Sequence, residues 1–193
     1  MDEPLARRHY LLPGTLFVPG EPYTVTTVLG SCVAVCLWDP VRRIGGIAHY
    51  LLALWNGEGL PTPRFGNIAI LRLVERLEQR GSRPSCLQAK VFGGASIHGN
   101  PSGFLSVGER NVWVAMDQLA ALGIPVVAQH VGGSCGRKLV FHTRTGEVWM
   151  RLLPESLLGG RDAQAVKPGR PVALPGVPAD PVVTASLGSE GLL

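Results

Sequence analysis

Residues 23–29 carry β-branched and aromatic side chains between Pro/Gly breaks, and residues 11–18 have the same character, so both segments are predicted strands. Gly30 interrupts. Residues 33–38, VAVCLW, are then apolar at every position. A strand apolar on both alternating faces needs cover on two sides and belongs in the middle of a layered structure. Asp39-Pro40 is a turn signal. Only a handful of residues separate it from the next apolar run, 46–52, so that strand should return antiparallel to its predecessor.

Farther along, Ile68, Leu71, Val74 and Leu77 recur at helical spacing behind Asn67, a capping residue, and Gly81 stands where a left-handed C-terminal cap belongs. Residues 87–92 read as a strand ending at Gly93-Gly94. A second helix is expected over 111–122, burying Val112, Ala115, Met116 and Leu119 and stopping at Gly123. Residues 124–131 form another predicted strand. Residues 137–143 and 147–153 flank Arg144-Thr145-Gly146, the arrangement of a closing hairpin with glycine at its left-handed position. Strands outnumber helices and short connections dominate. The expected class is therefore α+β, a layered sandwich of mixed β-sheets with flanking helices.

A chain of 193 residues suits one sizeable domain, and an apolar fraction of 46% gives it a core. Residues 1–159 are assigned to that domain. Past Pro154 the composition shifts to Gly, Pro and Ala without a period, so 160–193 is expected to be a disordered tail, and it is assigned no function. The net charge of +4 would suit an acidic partner. The arginines are scattered, however, with doublets only at Arg7-Arg8 and Arg42-Arg43, which argues against a nucleic-acid surface. The opening MDEPLARRHYLLPG lacks the layout of a secretory signal, and no apolar run approaches the roughly 20 residues of a membrane span. A cytoplasmic monomer without membrane insertion is expected, its cysteines Cys32, Cys36, Cys86 and Cys135 staying reduced.

That expectation directs attention to LGSCVAVC. Cys32 follows Gly30-Ser31 where one strand gives way to the next, so the backbone N–H groups at that turn need not join a ladder and can receive an oxyanion. Cys36 lies deeper in the covered strand. A nucleophilic thiol needs a nearby base, most often histidine. With Asp39 to Arg42 as a four-residue loop, Trp38 falls opposite Arg43, Ala34 opposite Ile47, and Cys32 opposite His49. A two-residue shift would leave thiol and imidazole diagonal; a one-residue slip would put them on opposite faces. The bland alternative is a small apolar cysteine beside a core histidine.

Zinc is disfavoured by spacing, because Cys-x3-Cys on a strand is not a knuckle and no second close pair follows. Neither Phe92-Gly93-Gly94-Ala95-Ser96 nor Val131-Gly132-Gly133 fits a phosphate-binding motif; both read as tight turns bringing backbone close to the site. Cys135 reads as a loop residue, and Arg137-Lys138 as a solvated strand edge.

The segments LGSCVAVCLWDP, GGIAHYLL, AKVFGGASI and GERNVWVAMDQLAALGIPVVAQHVGGSCGRKLVF, in this order, resemble the CheD family of chemoreceptor glutamine deamidases. The resemblance spans about residues 23–153. It implies a protein-glutamine amidohydrolase that turns receptor glutamines into glutamates, with a fold similar to the catalytic domain of cytotoxic necrotizing factor toxins. It places the nucleophile at Cys32, the base at His49 and a third catalytic residue at Thr26, with backbone at Gly30 and Ser31 holding the oxyanion. It implies no metal or cofactor. Chemoreceptor cytoplasmic domains are the implied protein substrate, and the CheC phosphatase is a candidate partner. A second reading makes the protein a module that docks on CheC, with the thiol incidental. The chain departs from the family at Ala53, where proline is common, and at Asn67, where aspartate is frequent.

Overall fold

A computed structural model describes residues 7–96 and 105–154. The tail expected over 160–193 lies outside the described residues. The strands are β1 (Arg7–Tyr10), β2 (Thr15–Phe17), β3 (Tyr23–Leu29), β4 (Val33–Asp39), β5 (Ile44–Tyr50), β6 (Gln88–Gly93), β7 (Val126–Val131), β8 (Gly136–His142) and β9 (Val148–Leu153). The helices are α1 (Gly66–Glu78) and α2 (Val107–Ala121).

Two mixed sheets stack face to face. One has the order β1-β3-β8-β9, the other β2-β5-β4-β6-β7. In the larger sheet β4 is central, paired antiparallel with β5 and β6, while β6 and β7 run parallel across the α2 crossover. Val33, Val35 and Leu37 point to the helices and pack with Tyr50, Ile70, Leu73 and Leu119. Ala34 and Cys36 point the other way, toward Val25, Leu29, Leu139 and Phe141 of the smaller sheet. The all-apolar run at 33–38 is thus covered on both faces. Each wholly buried valine or leucine there contributes roughly 1.5–3 kcal/mol. The layers are helices, five-stranded sheet and four-stranded sheet, in agreement with the α+β sandwich expected.

Several boundaries differ from expectation. The strand expected over 11–18 splits, because Pro13 and Gly14 (φ +77°) make a turn and leave only Thr15–Phe17 to pair with β5. In α1 the buried face is Ala69, Ile70, Leu73, Val74 and Leu77, and Leu71 is exposed. Asn67 does not cap that helix; its Oδ1 accepts from the Trp55 N–H at 3.0 Å and holds the preceding loop. The end of α1 is as expected: Gly81 has φ +89°, and the Ser82 N–H reaches back to the Leu77 carbonyl at 3.0 Å. Helix α2 starts four residues before the predicted Asn111. Ser106 caps it through a reciprocal box with Glu109, and Asn111 is thereby carried into its buried face.

Candidate active site

The hairpin of β4 and β5 sets the site. Ala34 pairs with His49 and Val33 with Tyr50, so the register is shifted by two residues from the one that would face Cys32 to His49. The cause is Asp39, which pairs with Ile44 inside the ladder. Its Oδ1 accepts the N–H groups of Val41 (2.9 Å) and Arg42 (3.0 Å), and its Oδ2 accepts the Ser82 hydroxyl at 2.8 Å. The four-residue loop is consequently residues 40–43, closed by Arg43 in the left-handed region at φ 55°. A two-residue shift preserves the face. Cys32, one residue before β4, packs on the cluster between the sheets, and His49 has the same parity as Ile47 in that cluster. Thiol and imidazole are diagonal neighbours, a relation that typically spans about 7–8 Å.

Thr26 was implied by the resemblance, but along β3 the inward positions are Val25, Thr27 and Leu29, and alternation turns Thr26 to the outer face. Thr27, buried, places Oγ1 2.8 Å from His49 Nδ1. That hydroxyl donates its one hydrogen to the Leu11 carbonyl at 2.9 Å. Toward the imidazole it can only accept, so Nδ1 carries the proton and Nε2 is the bare, basic nitrogen. Nε2 is buried and has no hydrogen-bond partner within the described protein.

Burial sets the charge state of both groups. His49 is 1% exposed, and desolvation lowers its pKa to about 4. The Cys32 thiol is pushed above its ordinary value by burial, with its own backbone N–H pulling weakly the other way. At rest the pair is a neutral thiol and a neutral imidazole, not an ion pair. Cys36 is wholly buried, its thiol pushed far up, and stays inert.

The depressed His49 pKa has a consequence for stability. The unfolded imidazole takes a proton below about 6.5 while the folded one stays neutral to about 4. In that window the unfolded chain binds more protons, so stability is full above about pH 6.5 and falls as pH drops toward about 4. Between pH 7 and about pH 5, the unfolding free energy from urea titrations should fall by about 2 kcal/mol more for the native chain than for His49→Gln. Equal slopes for the two proteins would contradict this account of His49.

The turn carrying Cys32 is held through three successive carbonyls. Gly30 O accepts from Ala95 N (2.9 Å), Ser31 O from Asn111 Nδ2 (3.0 Å) and Cys32 O from Gly94 N (2.8 Å). Among the described residues, the N–H groups of Ser31 and Cys32 donate to no backbone carbonyl. At Gly93 (φ +111°) a methyl group would overlap the Cys32 carbonyl oxygen, so only glycine lets the end of β6 approach this closely.

Arg137 is not the solvated edge residue expected. β8 lies between β3 and β9, and the guanidinium is 1% exposed, donating to His130 Nδ1 (2.9 Å), the Gly93 carbonyl (3.1 Å) and the Gly132 carbonyl. It ties together the strand ends behind the Cys32 turn. Two residues at the site, Thr27 and Asn111, escaped the sequence reading. Thr27 shares parity with Val25 and Leu29, and Ser106-x-x-Glu109 is the capping signature that places Asn111 just past the first turn of α2.

The protein is thus of the two-sheet α+β sandwich class, with a half-buried thiol at a strand entry and, on the same face, a buried imidazole of fixed tautomer. The profile of the family described as CheD chemotactic sensory transduction matches residues 55–152, a stretch that begins after His49. A probable chemoreceptor glutamine deamidase CheD of Trichlorobacter lovleyi is 50% identical over 142 residues, 74% of this chain and 88% of that protein. One from Sulfurimonas denitrificans is 41% identical over 150 residues, 77% of this chain and 96% of that protein. The chain belongs to the CheD family. Among solved structures it aligns with the Bacillus licheniformis hypothetical protein YfiH at 21% identity, over 58% of this chain and 46% of that one, with a TM-score of 0.35. So slight a likeness has no bearing on the fold.

Proposed function

We propose that the protein is a chemoreceptor glutamine deamidase that works through a cysteine thioester. The observation that carries the reading is the bare Nε2 of His49, fixed by Thr27 on the face that Cys32 shares. His49 Nε2 takes the Cys32 proton as the sulfur attacks the side-chain amide carbon of a glutamine. The N–H groups of Ser31 and Cys32, with Gly30 shaping the turn, hold the tetrahedral oxyanion. The C–N bond breaks, His49 hands its proton to the departing nitrogen, and ammonia leaves. Water then gives a proton to the same imidazole and attacks the thioester; the C–S bond breaks, the proton returns to sulfur, and glutamate remains. The substrates are chemoreceptor cytoplasmic domains.

The test is to incubate the protein with purified cytoplasmic domains of chemoreceptors from the same cell, following ammonia and the peptide masses that report Gln-to-Glu conversion. Release of ammonia matched by conversion at discrete glutamines supports the reading. Unchanged receptors and no ammonia would sink it.

Thr27 orients the imidazole and fixes its tautomer, so its loss should act on kcat. Thr27→Val is expected to lower kcat about 10–100-fold, and Thr26→Val to stay within about twofold of the native protein. The reverse order in steady-state kinetics would restore Thr26 as the third residue.

A further inference from the structure

We propose that Asn111 is a positioning residue that fixes the Cys32 turn against the strand bearing His49, an inference that rests on the deamidase reading for its kinetic arm alone. Asn111 is the fifth residue of α2, just past its first turn, and is fully buried. Its side-chain amide has two hydrogens, and both are used. One goes to the Ser31 carbonyl at 3.0 Å, the other to the Leu51 carbonyl at 2.8 Å. Ser31 directly precedes Cys32, and Leu51 follows His49 by two residues. The backbone carbonyl of Asn111 also accepts the Tyr50 hydroxyl at 2.6 Å, so the neighbour of His49 is held from the same point.

These bonds do more than fill a core position. Of the three carbonyls that anchor the turn, those of Gly30 and Cys32 are met by main-chain N–H groups, and that of Ser31 by a side chain. One planar amide thereby spans two chain segments whose relative placement decides whether sulfur and Nε2 meet. The platform under it is rigid. The capping box of Ser106 and Glu109 fixes the helix start, and Gly108 lies so close to the Gly94 carbonyl that a methyl group there would overlap it. A leucine at position 111 would keep the branched outline with lower desolvation cost, though it is bulkier, and could not bridge the two carbonyls. A misplacement of about 1 Å between reacting groups is enough to lower a rate about 100-fold.

The test compares Asn111→Leu with the native protein in two backgrounds. In otherwise native protein, kcat for ammonia release should fall about 10–100-fold with KM within about threefold, and Cys32 should react more slowly with iodoacetamide at neutral pH. In a His49→Ala background the same substitution should leave the alkylation rate unchanged, because the imidazole it positions is gone. An alkylation loss of equal size in both backgrounds would mean that Asn111 merely stiffens the turn, and would overturn the proposal. So would a native kcat per folded molecule. If Asn111→Leu does not reach the native circular dichroism spectrum, Asn111→Asp replaces it. That variant keeps the volume, but its carboxyl has at most one hydrogen to give and cannot bridge both carbonyls, so the same two losses are expected. Should the native protein release no ammonia from receptors, the deamidase reading fails, and the alkylation cycle still decides the role of Asn111.

Discussion

Cys32→Ala is expected to lower ammonia release at least about 1,000-fold, while Cys36→Ala keeps activity within about threefold. The two thiols are four residues apart, but they meet different surroundings. Cys32 lies at a turn whose N–H groups face no backbone acceptor among the described residues, and it is partly open to solvent. Cys36 is enclosed between the sheets among Val25, Ile47 and Phe141, where no glutamine side chain can reach it. Truncating Cys36 should cost stability, about 1 kcal/mol in urea titrations, without touching chemistry. Circular dichroism of both variants separates a lost nucleophile from a lost fold. An inactive Cys36→Ala beside an active Cys32→Ala would reverse the assignment.

The second large effect belongs to His49. His49→Ala should lose about 1,000-fold or more in kcat, because with both partners neutral at rest the thiol has no stored thiolate to fall back on. The same charge state fixes the pH profile. The base works only when unprotonated, and burial keeps it so down to about 4. The acid limb of kcat/KM for the native protein should therefore lie near 4, well under the 6.5 of an ordinary histidine. Stopped assays over short times, at pH values where the chain is still folded, give this limb directly. A limb near 6.5 would mean that the imidazole of the free protein is solvated, against the burial described.

The strand skeleton was readable because its signals are local. β3 begins and ends where the Pro/Gly breaks predict, and the apolar run at 33–38 announces a strand covered on both faces. The hairpin register was missed by two residues for a reason that lies outside the hairpin: the partner that lets Asp39 stay buried is Ser82, which is distant in sequence. The pairing error left the face intact, so Cys32 and His49 still share a face. Thr26 and Thr27 are one residue apart, which in a strand is a change of side, and it is Thr27 that meets His49. The resemblance offered a position but not a parity. Asn111 and Arg137 read as an ordinary helix residue and an ordinary charge, since neither has a local signature of burial; their partners at Ser31, Leu51, Gly93 and His130 exist only after folding.

The span of these clamps bears on how the protein comes to life during synthesis. The thiol and the imidazole emerge from the ribosome early, within one hairpin, whereas the bond from Asn111 to Ser31 closes a separation of 80 residues. β3 must also wait for β8 before its ladder forms. Such high contact order makes assembly slow for a domain of this size. A nascent chain halted before α2 would bear both reactive groups yet lack the geometry to use them. On the deamidase reading, catalytic competence then arrives only with the completed domain.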